Sequence, residues 1–307
     1  MTKLATRRMG RTEMTPRALG LGGAWWAAGP ADETIAGIHR AIELGINYID
    51  TYPGEAEERW GEALAGGRRE KVYLQGKVSR LTKRRSDHSA GATRQSIEAS
   101  LQALRTDYLD AVLIHGYDRP EDLEEVEDMH DPLAPGNALD ELVKMKEEGM
   151  VRHIGIGARD PQVHRRAIET GQIEIVLTYL NYNLLDQSIA ATTLPLARQH
   201  DVGMILASPL AMGSLTGVEP DSEVEERRNP GAEPRAHAMW SWCRERGTNI
   251  RHLAMQFCLA APIEGIVLPG PANTQQVEEA VEAATVEIPP QIWADFKEEF
   301  GMSISIS

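Results

Sequence analysis

Three residues of types that enzymes use for proton transfer each lie at or near the end of a short apolar segment. Asp50 ends the run NYID, Lys77 lies near the end of VYLQGKV, and His115 ends LDAVLIH. An acid, a lysine and a histidine placed in this way would face one another if the segments are parallel strands of a closed barrel. Barrel enzymes keep their catalytic residues at the C-terminal rim of the strands. The pattern therefore predicts a catalytic site, provided that the strands close.

Strand-like and helix-like segments alternate along the whole chain after a short polar opening. The predicted strands are residues 17–22, 47–51, 72–78, 109–115, 153–157, 173–181, 203–208 and 265–269. The predicted helices are residues 32–44, 55–64, 90–104, 138–148, 161–169, 189–200, 236–246, 249–260 and 273–283. The strands are nearly continuous runs of Val, Ile and Leu, as expected for strands covered on both faces. No linker interrupts this order, which predicts one (β/α)8 barrel domain over residues 1–307.

The composition limits the possible partners of this 307-residue chain. A net charge of −14 argues against binding to nucleic acid or to an anionic membrane. The basic N-terminus has no apolar stretch like that of a signal peptide, so we expect a cytoplasmic protein. Cys243 and Cys258 lack the spacing of metal ligands and are expected to be inert thiols. No metal site is predicted, even in the acid-rich segment 116–137, because nothing there sets a ligand geometry.

Eight motifs, in order, carry a resemblance to a known family. They are GLGGAWW (20–26), NYIDT (47–51), the strand containing Lys77, DYLDAVLIH (107–115), KEEGMVRHIGIG (146–157), NYNLLD (181–186), ASPLAMGSLTG (207–217) and VLPGPANTQQVEEAV (267–281). The chain resembles the aldo-keto reductases over essentially its full length, and ASPLAMG resembles their sugar-oxidising branch. The resemblance implies hydride transfer between a nicotinamide cofactor and a small sugar or aldehyde. It leaves a homo-oligomer possible.

The resemblance assigns a role to each of the three strand-end residues. Asp50 would hold Lys77, Lys77 would lower the pKa of a catalytic tyrosine, and His115 would orient the carbonyl oxygen and share the proton transfer. The family's tyrosine position, counted from Asp50 without a gap, holds Glu55. The loop also has Tyr52, two residues after Asp50. Three interpretations stay open: Tyr52 is the acid–base group, His115 or Glu55 does this work, or hydride chemistry has been lost or redirected.

The cofactor positions implied by the resemblance depart in part from the family pattern. The residues near the nicotinamide and the pyrophosphate form two groups. The first group lies in the glycine-rich motif and around the nicotinamide. The second follows the seventh strand, where backbone N–H groups would bind the pyrophosphate. The first group is Gly22, Gly23, Gly157, Ala158 and Tyr179, and the second is Ser208, Leu210 and Gly213. Gly157 and Ala158 replace the usual Ser-Asn pair, so they can offer only backbone groups or bound water.

The adenosine end of the implied cofactor site is formed by residues 270–279. Gly270 and Gln276 stand where NADP-preferring members have a lysine and an arginine for the 2′-phosphate, and Glu279 remains for the adenine. The loss of two cations should weaken NADP binding. The sequence therefore favours NAD as the cofactor, with an NADP site built on the backbone as the alternative.

The predicted substrate contacts are Trp25 or Trp26, which could stack on the apolar face of a sugar, and Glu55. Together these observations predict an NAD(P)-dependent enzyme that oxidises or reduces an aldose or a related polyhydroxylated compound. Two alternatives arise from the disrupted tyrosine loop. One is a non-redox reaction such as elimination or epimerisation with a retained cofactor, and the other is a cofactor-sensing regulatory subunit.

Overall fold

A computed structural model describes residues 4–54, 56–78, 87–115, 131–221 and 231–302. Within them, eight parallel strands follow one another in chain order around one sheet. The strands are β1 Leu21–Gly22, β2 Tyr48–Asp50, β3 Tyr73–Val78, β4 Leu109–His115, β5 Val151–Gly157, β6 Ile175–Tyr179, β7 Gly203–Ala207 and β8 Gly265–Leu268. Backbone contacts also join the last strand to the segment that enters the first. Leu19 and Val267 form a parallel bridge, and the Gly20 N–H donates to the Val267 carbonyl. The predicted (β/α)8 barrel is confirmed.

Helices follow the strands on the outside of the barrel, and in the described residues they number ten. They are α1 Ala31–Glu43, α2 Glu57–Ala63, α3 Ala90–Leu104, α4 Ala138–Glu147, α5 Pro161–Glu169, α6 Thr193–Gln199, α7 Glu233–Glu245, α8 Ile250–Leu259, α9 Thr274–Thr285 and α10 Pro290–Phe300. Several begin at polar caps; Ser89, for example, accepts the Ala92 N–H at the start of α3. The final helix, α10, is absent from the sequence prediction, although Trp293 and Phe296 bury its inner face.

The core has two layers. One cluster fills the barrel interior and includes Leu113, Leu177 and Ile266, and a larger cluster lies between strands and helices. The polar opening of the chain closes the N-terminal end of the barrel, because Thr6 and Arg17 pair in an antiparallel bridge and Met9 joins the interior cluster. A barrel closed at that end leaves its C-terminal rim for chemistry.

Two observations concern membrane-spanning helices and the cysteine thiols. In the part of the chain that the structure describes, no helix has the length and apolar character needed to cross a membrane. Cys243 and Cys258 are both buried and unpaired, and burial raises the pKa of each thiol. A buried thiol with a raised pKa is a poor nucleophile.

Candidate active site

The three residues predicted from the strand ends lie together at the C-terminal rim. Asp50 is the last residue of β2, Lys77 the penultimate residue of β3, and His115 the last residue of β4. The three strands are adjacent and parallel, with Lys77 level with Leu113 of β4. Their order in the sheet brings an acid, an ammonium group and an imidazole to one side of the barrel mouth.

Asp50 and Lys77 form a buried ion pair. The Lys77 ammonium donates to Asp50 Oδ1 and to the Thr51 carbonyl, at 3.1 Å from the latter, and Lys77 is only 1% exposed. Burial raises the pKa of Asp50 and lowers that of Lys77, while the attraction between the two charges opposes both changes. Removal of either partner would leave a buried charge without compensation.

A chain of buried side chains holds the Asp50 carboxylate in place. The Gln75 amide donates to Asp50 Oδ1, and the Tyr48 hydroxyl donates to Gln75 Oε1 at 2.8 Å. Tyr48 and Gln75 are not among the residues predicted from the sequence. The signal was available, since each lies two residues before a predicted site residue and therefore points to the same face of its strand.

Tyr52 joins this ion pair to His115. Its hydroxyl lies 2.9 Å from His115 Nε2, and the two rings meet edge to face. The Lys77 ammonium lies over the face of the Tyr52 ring, 3.9 Å from the ring centroid. The cation faces the electron-rich ring, an arrangement that is attractive in itself. The structure thus brings together Asp50, Lys77, Tyr52 and His115 in one continuous set of contacts.

This arrangement can hold and move a proton. A phenol and an imidazole joined by a hydrogen bond can exchange a proton, and each can pass it to a substrate oxygen. A nearby positive charge favours the phenolate form of a tyrosine over the phenol. The Lys77 ammonium is in a position to supply that charge, because Asp50 helps to keep it protonated despite burial.

A second buried carboxylate lies behind the ion pair and was also missed. Glu57, in the first turn of α2, is 3% exposed, and its Oε2 accepts from the Ser100 hydroxyl at 2.9 Å. Burial raises the pKa of Glu57 to about 7, against hydrogen bonds from Ser100 and Gly54 and the attraction of Lys77. Its spacing from Trp60, Gly61 and Leu64 is that of one helix face, which marked it as inward-facing.

Gly23 explains how the chain passes so close to Asp50. A Cβ at Gly23 would lie 2.3 Å from the Asp50 carbonyl oxygen, so only glycine fits there. The Gly23 N–H also donates to the Asp50 carboxylate. Gly22 is also confined, because a Cβ there would lie 2.8 Å from the Pro269 carbonyl oxygen, to which the Gly22 N–H donates at 2.9 Å. In this structure the two glycines tie β1 to β2 and to the end of β8.

Comparison with known proteins identifies the family. Residues 18–299 match the model of the Aldo/keto reductase family. The chain is an aldo-keto reductase. It is 31% identical to L-galactose dehydrogenase of Arabidopsis thaliana over 298 residues, covering 93% of this chain and 89% of that protein. It is 28% identical to D-threo-aldose 1-dehydrogenase of a Pseudomonas species, with 87% and 88% covered. The enzyme is therefore an NAD(P)-dependent oxidoreductase.

A solved structure shows the same fold. The holo form of aldo-keto reductase AKR11C1 from Bacillus halodurans superposes with a TM-score of 0.79 at 24% identity. The match covers 97% of this chain and 96% of that one. The likeness supports the barrel architecture of this aldo-keto reductase.

The segment after β7 of the aldo-keto reductase has an unusual backbone. Ser208, Ala211 and Met212 have φ values of 58°, 48° and 57°, and Gly213 has 120°. Positive φ in three residues other than glycine is costly, and such strain is concentrated at ligand clamps and other functional sites. Leu210 lies within this turn and packs against the core. The turn includes all three residues predicted to bind pyrophosphate, namely Ser208, Leu210 and Gly213.

The residues predicted around the nicotinamide lie at the ends of β5 and β6. Gly157 is level with His115, and a Cβ there would lie 3.3 Å from the His115 ring. Ala158 is fully buried; its N–H donates to the Leu177 carbonyl and its carbonyl accepts from His164 Nε2. Tyr179 is half-buried at the last position of β6. Gly157 and Tyr179 thus border the rim, whereas the N–H and the carbonyl of Ala158 both form hydrogen bonds within the protein.

The predicted adenosine segment runs from the end of β8 into α9. Asn273 caps α9 by accepting the Gln276 N–H, and the Gln276 side chain accepts the Ala272 N–H. The Glu279 carboxylate accepts from Arg251 and from the Gln275 amide. Gln276 thus serves as part of a helix cap, and α9 itself contains no lysine or arginine.

The two adjacent tryptophans, Trp25 and Trp26, differ in their solvent exposure. Trp25 is 45% exposed and lies against Gly270, where a Cβ would approach its ring to 3.0 Å. Trp26 is fully buried, with its Nε1 donating to the Gly22 carbonyl and its ring edge-on to Trp60. The prediction of Trp26 as a substrate wall is wrong, because its ring is enclosed by the core and offers no face to a ligand.

Two further expectations concern the rest of the site. Glu55, predicted as a substrate contact and possible acid–base group, lies outside the described residues, as does most of the acid-rich segment 116–137. Across the described ranges, no group of three or more His, Cys, Asp or Glu residues could hold a metal ion.

Proposed function

We propose that this enzyme is an NAD-dependent dehydrogenase that oxidises the hydroxyl-bearing anomeric carbon of an aldose or of a closely related polyhydroxylated compound. The observation that carries the proposal is the hydrogen bond between the Tyr52 hydroxyl and His115 Nε2 above the Lys77 ammonium. This contact gives the barrel a proton-transfer group despite its altered tyrosine loop.

Tyr52 is the proposed acid–base residue. In the oxidation direction the Tyr52 phenolate takes the proton from the substrate hydroxyl, and in reduction the Tyr52 phenol gives its proton to the carbonyl oxygen. His115 accepts a hydrogen bond from Tyr52 or donates one to it, depending on its tautomer, and so holds the phenol in position. The negative charge of the Tyr52 phenolate, present before oxidation and after reduction, is stabilised by the Lys77 ammonium, 3.9 Å from the ring centroid.

Asp50, Gln75 and Gly23 are positioning residues in this scheme. They hold the Lys77 ammonium charged and fixed, so that little reorganisation is needed when charge develops at Tyr52. A bound nicotinamide dinucleotide supplies the hydride acceptor for the reaction. The residues proposed to hold it are those of the strained turn after β7, the β8–α9 segment and the rim residues Gly157 and Tyr179.

The proposed substrate class rests on the relatives and on the side chains at the rim of the site. The two curated relatives described above are named for the oxidation of sugars, L-galactose and D-threo-aldoses. The Tyr52–His115 pair offers a hydrogen-bonding edge for a hydroxyl group, and the exposed Trp25 ring is an apolar surface at the same rim.

The test is to follow nicotinamide absorbance with NAD⁺ or NADP⁺ against a panel of aldoses, with simple aldehydes and reduced cofactors for the reverse direction. We expect turnover of at least one aldose with NAD⁺. Tyr52→Phe should lower kcat by about a hundredfold or more, the usual contribution of general acid–base catalysis. Tyr73→Phe is the matched control, because Tyr73 lies at the start of β3, at the opposite end of the barrel.

Two outcomes would contradict the proposal. Near-normal turnover by Tyr52→Phe would assign the proton transfer to another group, such as His115 or Glu55. Tight nucleotide binding with no absorbance change for any substrate would instead favour a non-redox or regulatory role. Calorimetric titration of each cofactor separates this second outcome from a simple failure to bind.

A further inference from the structure

The first turn of α1 and the loop before it lie along the proposed adenosine segment. Trp25 contacts Gly270, and Gly29 lies near Ala272. Glu33 also contacts this segment. Its Oε1 accepts the N–H of Thr274, the first residue of α9, at 2.7 Å. A carboxylate from one helix thus occupies the N-terminus of another.

The location of this carboxylate has a consequence for charged ligands. Helix N-termini attract phosphate groups through unpaired N–H groups and the helix dipole, and barrel enzymes often bind phosphate beside the strands 7 and 8. In this chain Glu33 takes one of these N–H groups and Asn273 takes another, that of Gln276. An anion arriving there meets a negative charge, and two of the N–H groups that could bind it already have partners.

The surroundings keep Glu33 ionised and in place. The hydrogen bonds from Thr274 hold the pKa of the Glu33 carboxyl below its usual value, in spite of the neighbouring Asp32. A salt bridge between Arg40 and Glu278, at 2.7 Å, joins the same two helices further along. α9 carries no lysine or arginine that could neutralise Glu33. The carboxylate is therefore a persistent feature of this surface.

We propose that Glu33 is a specificity-determining residue that excludes the 2′-phosphate of NADP and accepts hydrogen bonds from the adenosine ribose hydroxyls of NAD. This inference rests on the proposed function, because it requires the adenosine half of the cofactor to lie along the β8–α9 segment. The negative charge of Glu33 would repel the 2′-phosphate. This repulsion adds to the loss of the two cations at the positions of Gly270 and Gln276. Discrimination between two ligands commonly depends on such an unfavourable contact with the wrong one.

The experiment is isothermal titration of the full-length enzyme with NAD⁺ and with NADP⁺, without substrate. Glu33→Gln keeps the shape of the side chain but removes its charge, so the ratio of the two Kd values should move toward NADP⁺ by about tenfold or more. Glu33→Lys should move it further. Asp32→Asn is the matched control, since it removes the adjacent acid of the same helix turn and should leave the ratio within about twofold.

The outcomes separate the inference from the proposed function. An unchanged Kd ratio in Glu33→Gln, with wild-type NAD⁺ binding intact, overturns the role of Glu33 and leaves the proposed function in place. An equal loss of affinity for both cofactors, with a lower Tm, overturns it as well and makes Glu33 only a cap of α9. A wild-type enzyme that binds neither dinucleotide overturns the proposed function and this inference together.

Discussion

Replacement of Glu57 by glutamine should stabilise the protein by an amount that grows as the pH rises from 5 to 8. Glu57 is a buried carboxyl whose folded-state pKa is about 7, against an ordinary value of 4.5. The cause is burial, which penalises the charged form more than Ser100, Gly54 and Lys77 favour it. Glutamine has the same shape, stays neutral and can still accept from Ser100.

The sign and size of the effect follow from proton linkage. Because the folded-state pKa lies above the unfolded value, the contribution of Glu57 to stability is fully present below pH 4.5 and is lost as the pH rises through about 7. The difference between the two pKa values corresponds to about 3 kcal/mol. Relative to wild type, Glu57→Gln should therefore gain about 1 kcal/mol at pH 5 and about 3 kcal/mol at pH 8.

Urea denaturation at a series of pH values from 5 to 8.5, followed by circular dichroism, measures this difference. The quantity of interest is the change of the variant-minus-wild-type free energy of unfolding with pH, because a constant offset from altered packing cancels. Glu58→Gln is the matched control: Glu58 is the exposed neighbour in the same helix turn, and its replacement should give a nearly flat difference.

A flat profile for Glu57→Gln would refute the reasoning. It would mean that Glu57 is ionised at an ordinary pKa in the folded protein, so that water or Lys77 compensates its charge more fully than its burial indicates. A difference that grows toward acid pH would refute it more directly, since the sign would then be that of a carboxylate stabilised by its surroundings.

Three further predictions concern the catalytic rim and the cofactor. Lys77→Met should abolish turnover while circular dichroism shows an intact barrel, and an unchanged rate would remove the role given to the ion pair. Gly23→Ala should cost about 2 kcal/mol of stability, measured by denaturation, because its Cβ would meet the Asp50 carbonyl, whereas Gly91→Ala, in open space on α3, should not destabilise. Gln276→Arg should tighten NADP⁺ binding several-fold, as measured by calorimetry. No improvement would mean that residues 270–279 are wrongly aligned with the adenosine site of the family.

The barrel and three of its rim residues were predictable from local patterns. Asp50, Lys77 and His115 each end a short apolar run, and parallel strands in chain order place such ends at one rim. Strand periodicity would also have shown that Tyr48 and Gln75 share a face with Asp50 and Lys77. These features depend on alternation within a strand, which a single sequence displays.

Other features depend on contacts between distant segments and were not predictable. Adjacent Trp25 and Trp26 look alike in sequence, and only the packing of α1 decides which is buried, since the Trp26 ring lies against Gly37 with no room for a side chain there. The Glu33–Thr274 hydrogen bond joins residues 241 positions apart. No local pattern near either residue signals the other.

The position of Tyr52 shows why the catalytic assignment needed the structure. β2 ends at Asp50, and Tyr52 lies in the loop that follows, just before the chain turns at Gly54 with a φ of 127°. Its ring reaches His115 across Lys77 because β2, β3 and β4 lie side by side. Tyr52 therefore keeps a phenol in contact with the imidazole of His115 and the ammonium group of Lys77, although it lies outside the strand that carries Asp50.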